Sequence, residues 1–213
     1  PGTVWGAEGE FVSAPRLDDL ACVFACTEGF LTAQERDMVP VLCVFDNEEI
    51  GSETKQGAAS VFLPETLAAI SEALGLSAAD HRALLADSMM LSCDNGHARH
   101  PNHPELADTN EAPVLNGGVV VKHSPRYATD GVSSAVFTEL CRRAEVPVQY
   151  YANRPDQMGG ATLGNIADTK LPIPTVDIGM AQLAMHSCFE TMGSRDVAHF
   201  VRAVTACYEA ALT

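Results

Sequence analysis

Apolar and polar positions along the chain predict helices alternating with short strands. Apolar residues recur every three or four positions in five segments, which predicts helices at residues 18–31, 57–74, 77–87, 130–144 and 194–211. The residues expected to stop or cap these helices are Gly75, Ser77, Asp130 and Ser194. Short apolar runs predict strands at residues 39–45, 89–92, 118–122, 146–151 and 174–178. The alternation predicts an α/β fold with three layers, α/β/α, around a mostly parallel central sheet.

Two of these segments carry more detailed expectations. Residues 39–45 are apolar almost throughout, which is typical of a strand buried on both faces of an α/β sheet. In the fourth helix, the side chains expected on the buried face are Val132, Ala135, Val136 and Leu140. The intervening residues 95–117 are rich in His, Pro and Asn and form a loop too long to be a mere connection.

The overall composition excludes several classes of protein. With 213 residues, of which 46% are hydrophobic, the chain is long enough for one domain with a sizeable core. Its 13 Lys and Arg residues against a formal net charge of −15 argue against a nucleic-acid-binding surface. No apolar run is long enough to cross a membrane. The seven cysteines include no CxxC pair, which predicts reduced thiols in a cytoplasmic protein.

Two adjacent carboxylates follow the apolar run at residues 39–45. Glu48 and Glu49 are most simply explained as a solvated acidic turn, but their position directly after a predicted core strand favours a function. Adjacent side chains point to different sides of the backbone. One carboxylate could therefore bind a metal ion while the other acts as a general base.

Further metal-binding side chains are expected at the same edge of the sheet. Ligands collect outside the carboxyl ends of parallel strands, where Asp94 follows one strand and His186 follows another after a short connection. Asp18 begins the first helix, which is expected at that edge. Oxygen and imidazole ligands without thiolates suit a hydrolytic Zn, Mn or Co site, and a carboxylate shared by two ions is usual in co-catalytic pairs. A single His such as His186 is, however, more often a core residue than a ligand.

The segment SCDNGHARHPNHPE, residues 92–105, contains three histidines and one aspartate. Pro101 and Pro104 interrupt any helix, so three histidines on one face are not expected. We favour Asp94 as the ligand, with His97 or His100 supporting the ligands or contacting substrate, and His103 as an ordinary loop residue. Lys122, at the end of the run GGVVVK, either extends to solvent or directs its charge into the site.

Five segments together resemble the M18 metallo-aminopeptidases, the aspartyl aminopeptidases. They occur in the family's order over nearly the whole chain: SAPRLDDL (13–20), FDNEEIGS (45–52), LSCDNGHARHPNH (91–103), VVVKHSPRYATD (119–130) and DIGMAQLAMHS (177–187). The resemblance implies a zinc-aminopeptidase-like fold of the phosphorylase/hydrolase-like type. It also implies hydrolytic removal of N-terminal Asp or Glu from peptides, and homo-oligomers built from dimers, up to a dodecamer, in the full-length protein.

The resemblance also implies roles for individual residues in a site with two zinc ions, for which Mn or Co could substitute. Asp18 would be the bridging ligand, Glu49 and Asp94 would bind separate ions, and His186 would be a further ligand. Glu48 would be the general base. The residues matching the pocket for the first substrate residue and a further active-site histidine are Lys122, Tyr127 and His100.

One departure from the family pattern limits this expectation. The family supplies a further ligand from an HxD motif, and no histidine here stands two residues before an Asp. Residues 1–213 therefore resemble the C-terminal portion of the catalytic domain, without the N-terminal portion or the β-rich dimerisation domain, and could be inactive alone. Two alternatives stay open: a related co-catalytic aminopeptidase of neutral specificity, and an incomplete fragment that acts only as an assembly module.

Overall fold

The computed structural model describes residues 1–34, 38–157 and 159–210. In this part of the chain the strands are β1 Thr3–Trp5, β2 Phe11–Ala14, β3 Met90–Cys93, β4 Gly96–His97, β5 Val119–His123, β6 Val148–Ala152, β7 Thr175–Gly179, β8 Ala181–Leu183 and β9 Glu190–Gly193. The α-helices are α1 Leu17–Thr32, α2 Phe62–Ala73, α3 Ala78–Ala86, α4 Gly131–Arg143, α5 Leu163–Asp168 and α6 Ser194–Tyr208. None of these helices combines the length and hydropathy needed to cross a bilayer.

The central sheet has the strand order β3-β7-β5-β6 and confirms the predicted α/β class. The β3/β7 and β5/β6 pairs are parallel, and β5/β7 is antiparallel. Side chains alternate across this sheet, because Leu91 and Cys93 pack against one apolar cluster and Met90 against another. The first cluster includes residues of α1, α4 and α6, and the second includes residues of α2 and α3. Helices therefore cover both faces, giving the expected three layers.

A second sheet, with the order β1-β2-β9-β8-β4, was not predicted. Its strands are two to four residues long, too short to show a clear alternation of apolar and polar positions. Strand β4 lies within residues 95–117, where a long loop was expected. The antiparallel pairing of β2 with β9 places Ala14 opposite Glu190, which brings the end of β9 close to the start of α1.

The predicted helix boundaries are confirmed at two N-terminal caps and wrong at a third, and the helix predicted from residue 57 begins at Phe62. Ser77 and Asp130 each form a capping box at the start of α3 and α4. Gly75, with φ +75°, follows the end of α2 as expected. Ser194 is the first helical residue of α6 and not its cap, because its hydroxyl donates to the carbonyl of Gly9 at 2.8 Å. The predicted end of this helix at Ala211 lies outside the described residues.

The buried face predicted for α4 is wrong. Val132 is 73% exposed, whereas the buried residues of α4 are Ser133, Ser134, Phe137 and Cys141. The two serines are buried because their hydroxyls have partners. Ser133 Oγ accepts from the Asp130 amide at 3.0 Å, and Ser134 Oγ lies 3.3 Å from His123 Nε2. The hydrogen bonds allow the serines to be buried on the same side of the helix as Phe137 and Cys141, which reach the core.

The buried strand predicted at residues 39–45 is also absent from the structure. These residues join no strand ladder among the described residues, and Val41 and Val44 are 41% and 52% exposed. Their contacts nevertheless alternate as in a strand. Leu42 packs against the first apolar cluster, and Cys43 and Phe45 pack against the second. The segment therefore lies at the level of the central sheet without joining a strand ladder among the described residues.

Candidate active site

The predicted site residues line one large cavity beyond the ends of β3 and β5. Its volume is about 720 Å³. The eight residues singled out as candidate site residues all contribute to its wall: Asp18, Glu48, Glu49, Asp94, His100, Lys122, Tyr127 and His186. The seven cysteines form no disulfide.

Two groups of potential metal ligands share Asp18. In the first group, His186 Nε2 lies 3.1 Å from Asp18 Oδ2 and 3.2 Å from Glu49 Oε2. The second group consists of Asp18, Asp19 and Asp94, and in each group the potential ligand atoms lie within 4.8 Å of one another. Asp18 is thus placed as a shared ligand would be, with Glu49 and Asp94 in different groups. Asp19 was not predicted.

The environment of Asp18 fits a bound cation. Its side chain is only 5% exposed, and its Oδ1 has no hydrogen-bond partner among the described residues. Burial, followed by the nearby carboxylates of Asp94 and Glu49, raises the pKa of Asp18 to about 7. A divalent cation would supply the missing partner and offset the repulsion between carboxylates. The oxygen and imidazole donors suit zinc, so the residues present fit the ion that the resemblance implies.

A tight turn presents Glu48 and Glu49 to different parts of the site. Residues Glu48–Ile50 form a 3₁₀ turn between Asn47, with φ 64°, and Gly51, with φ 97°. Glu49 points to His186, whereas the half-buried carboxylate of Glu48 faces the cavity and makes no hydrogen bond within the described parts of the chain. Burial, followed by Asp94 and Glu49, raises the pKa of Glu48. This geometry suits a group that gains and loses a proton.

Lys122 is buried, and its ammonium group is hydrogen-bonded to neighbouring oxygens. Its side chain is 1% exposed, and its Nζ donates to Asp94 O at 2.7 Å, Asp94 Oδ2 at 3.0 Å and Asn95 O at 3.3 Å. Burial alone would lower the pKa of Lys122, but the Asp94 carboxylate raises it overall. Nζ also lies 5.4 Å from the centre of the Tyr127 ring. All three N–H donors therefore have acceptors, and the lysine orients Asp94.

Asp177, which sequence reasoning did not select, holds two loops of the cavity wall. It is completely buried; its Oδ1 accepts from Ser92 Oγ and Thr162 Oγ1, both at 2.6 Å, and its Oδ2 accepts from the Ala128 amide at 2.5 Å. The loop that carries Tyr127 and the Gly-rich loop before α5 are thus fixed to the central sheet. A single Asp within an apolar strand gives no sequence signal for this role.

The histidines of the long loop stand apart from the two ligand groups. His100 lines the cavity, and its ring centre lies 5.4 Å from that of His103. His103, expected to be an ordinary loop residue, also lines the cavity and pairs with Glu105 at 3.2 Å. Within the described parts of the chain, neither imidazole joins Asp18 in a ligand group.

Glu190, at the start of β9, is another site residue that sequence reasoning missed. It is 2% exposed, and its two carboxylate oxygens accept hydrogen bonds from the backbone amides of Asp18 and His186. Asp18 lies 172 residues away in sequence, so no local pattern could have identified that contact, whereas His186 lies only four residues away.

Comparison with known proteins identifies relatives of the chain. The sequence profile described as Aminopeptidase I zinc metalloprotease (M18) matches residues 1–208. A probable M18 family aminopeptidase 2 of Mycobacterium leprae is 42% identical over 214 aligned positions, covering 100% of this chain and 50% of that protein. The equivalent protein of Clostridium novyi is 45% identical over 197 positions, covering 92% and 46%. The chain thus spans about half the length of these relatives.

Solved structures agree with this relationship. Yeast aminopeptidase 1 is 34% identical with a TM-score of 0.88, covering 98% of this chain and 48% of that one. The S. cerevisiae mApe1 dodecamer is 33% identical with a TM-score of 0.84, covering 96% and 47%. An M18 aminopeptidase of Thermotoga maritima, 24% identical with a TM-score of 0.89 and coverage of 98% and 48%, shares the fold.

Proposed function

We propose, since the chain belongs to the M18 family of zinc metalloproteases, that it carries most of the metal and catalytic site of an aminopeptidase. The observation that supports this most directly is the pair of ligand groups that share the buried carboxylate of Asp18. Asp18, Glu49 and His186 would hold one zinc ion, and Asp18 and Asp94 would hold a second. Mn or Co could replace zinc at sites with these donors.

The metal supplies Lewis acidity when bound, which polarises the substrate carbonyl and makes water more acidic. Glu48 accepts a proton from the attacking water and returns it to the leaving amine as the peptide bond breaks. Its position in the cavity wall and its raised pKa suit both transfers. The buried Lys122 keeps the Asp94 carboxylate oriented throughout.

The proposed substrates are peptides with an acidic N-terminal residue. Lys122, Tyr127 and His100 lie in the wall where that residue would bind, and a buried ammonium attracts a carboxylate strongly. The three hydrogen bonds of Lys122 to Asp94 and Asn95, however, leave no N–H donor for a substrate carboxylate unless one of these bonds breaks. That observation favours the second candidate, an aminopeptidase of neutral specificity. Cleavage rates of Asp-, Glu- and Leu-amides by the native polypeptide containing this chain distinguish the two.

The proposed assembly is a homo-oligomer of the full-length protein. A structural relative is described as a dodecamer, which supports this proposal. The alternative of a non-catalytic assembly module predicts that the native polypeptide assembles but binds no zinc. Metal analysis after zinc supplementation and dialysis separates the module from the enzyme.

The proposed roles of Glu48 and Asp18 are tested by comparing two substitutions. In the native polypeptide, Glu48→Gln is expected to lower kcat at least about 100-fold while zinc content stays near that of the unmodified enzyme, because a glutamine accepts no proton. Asp18→Asn is expected to lose zinc as well as activity, because both ions share this carboxylate. Unchanged turnover in Glu48→Gln would exclude Glu48 as the general base.

A further inference from the structure

Glu190 joins two proposed ligands through their backbone. Its Oε2 accepts the amide of Asp18 at 2.9 Å, and its Oε1 accepts the amide of His186 at 2.7 Å. The carboxylate lies beneath the cavity and is not part of its wall. It bonds to the backbone amides of the two proposed ligands and leaves their side chains free to bind metal.

The two amides belong to separate elements of the fold. Asp18 lies at the start of α1, where its φ and ψ are not helical. His186 lies in the turn between β8 and β9, with left-handed φ values of 56° at Ala184 and 65° at His186. The His186 side chain is 61% exposed, so packing around the imidazole contributes little to its position. Its imidazole contacts the other proposed ligands, Asp18 and Glu49, and the hydrogen bond from its amide to Glu190 holds its backbone.

The chemistry of the contact requires a carboxylate. The two N–H donors come from different sides and bond to different oxygens of Glu190, Oε2 and Oε1. A glutamine would offer one oxygen and one NH₂ group, so one of the two amides would face a donor and lose its hydrogen bond. Sequence separations of 172 residues for Asp18 and four for His186 show that this single group connects distant parts of the chain.

We propose that Glu190 is a positioning residue of the metal site, which holds Asp18 and His186 in register so that their ligand atoms face one another. The inference rests on the proposed function, because that function identifies these two residues as ligands. The ligand atoms in question, Asp18 Oδ2 and His186 Nε2, lie 3.1 Å apart.

The test compares Glu190→Gln with a matched variant of the same chemistry. Asp196 is also completely buried and accepts two backbone amides, those of Asn116 at 2.6 Å and Gly118 at 2.9 Å, but it does not line the cavity. Asp196→Asn therefore removes one acceptor from a buried carboxylate away from the proposed ligands. A general effect of such a change on the fold would appear in both variants.

We expect Glu190→Gln to weaken zinc binding by the native polypeptide roughly 10- to 100-fold, as do substitutions of residues that hydrogen-bond to metal ligands. The same substitution is expected to change the visible spectrum of the cobalt form. Asp196→Asn is expected to leave both unchanged. Unaltered zinc affinity and cobalt spectrum in Glu190→Gln, or an equal loss in Asp196→Asn, would overturn the inference. Absence of zinc binding by the unmodified protein would instead contradict the proposed function.

A second measurement needs no variant and no metal. In the unmodified, metal-free polypeptide, the amide protons of Asp18 and His186 are expected to exchange with solvent at least about 100-fold more slowly than unprotected amides, because Glu190 accepts both. His186 is the sharper case, since it lies in an exposed turn. Rapid exchange at either amide would overturn the proposed anchoring even if Glu190→Gln failed to fold.

Discussion

Strand β5 and residues 41–45 have similar sequences and different structures. VVVKH and VLCVF are both mainly β-branched or aromatic and apolar, and both lead into the candidate site. Strand β5 pairs with β6 on one side and β7 on the other, and Val119, Val120 and Val121 are completely buried. Residues 41–45 have no ladder partner among the described residues, and Val44 is 52% exposed. An apolar run thus provides the capacity to form a strand, and neighbouring strands decide whether it is realised.

The two walls of the site differ in the same way. At the ends of β5 and β3, Lys122 and Asp94 are held by buried hydrogen bonds, with side chains 1% and 16% exposed. Beyond residues 41–45, Glu49 and its partner His186 are 56% and 61% exposed. The first wall is fixed by the central sheet, and the second depends on turns and on the anchor from Glu190. We call them the closed wall and the open wall.

The largest effect is expected from Lys122→Met on the closed wall. Removing the ammonium leaves the Asp94 carboxylate and two carbonyl oxygens without their donor in a buried place. Loss of one partner from a buried ion pair costs about 3–5 kcal/mol of unfolding free energy. Urea denaturation of the metal-free native polypeptide measures this loss of unfolding free energy, and the control is Lys55→Met at an exposed position. A cost as small as that of the control would show that this wall is not held by Lys122.

An intermediate effect is expected from truncating a valine in each apolar run. Val121→Ala should lower the free energy of unfolding by about 2 kcal/mol, because it removes two fully buried methyl groups and leaves a cavity. Val44→Ala should cost less than about 1 kcal/mol, since half of that side chain is already exposed. Equal losses would mean that residues 41–45 are covered in the native polypeptide, and the contrast between the two runs would disappear.

The features predictable from sequence are those that depend on local interactions. Ser77 and Asp130 were recognisable as caps because each bonds to amides two or three residues away. The buried β5 and the α/β class followed from uninterrupted apolar runs alternating with helical periodicity. The candidate ligands were predicted from their positions at the ends of strands and from the resemblance to the M18 family. The structure brings Asp18, Glu49 and His186 together.

The missed features depend on contacts between distant residues. The second sheet consists of strands too short to give a pattern, and its existence depends on pairings such as β2 with β9. Glu190 and Asp177 are single acidic residues whose partners lie up to 172 and 85 positions away. The failure at residues 39–45 has the same origin, because hydrophobicity of one segment contains no information about whether a neighbouring strand is present.

The smallest effect on stability is expected from Glu49→Gln on the open wall. The side chain is more than half exposed and pairs with the exposed His186, so the metal-free native polypeptide should lose less than about 1 kcal/mol. Asp94→Asn on the closed wall should cost more, because the buried Lys122 would keep a neutral acceptor in place of a carboxylate. Both variants should bind less zinc, as each removes a proposed ligand. Zinc titration of the two variants measures the loss of metal binding, and urea denaturation measures the loss of stability. If Glu49→Gln lowered the free energy of unfolding of the metal-free protein as much as Asp94→Asn does, the open wall would contribute as much to stability as the closed wall.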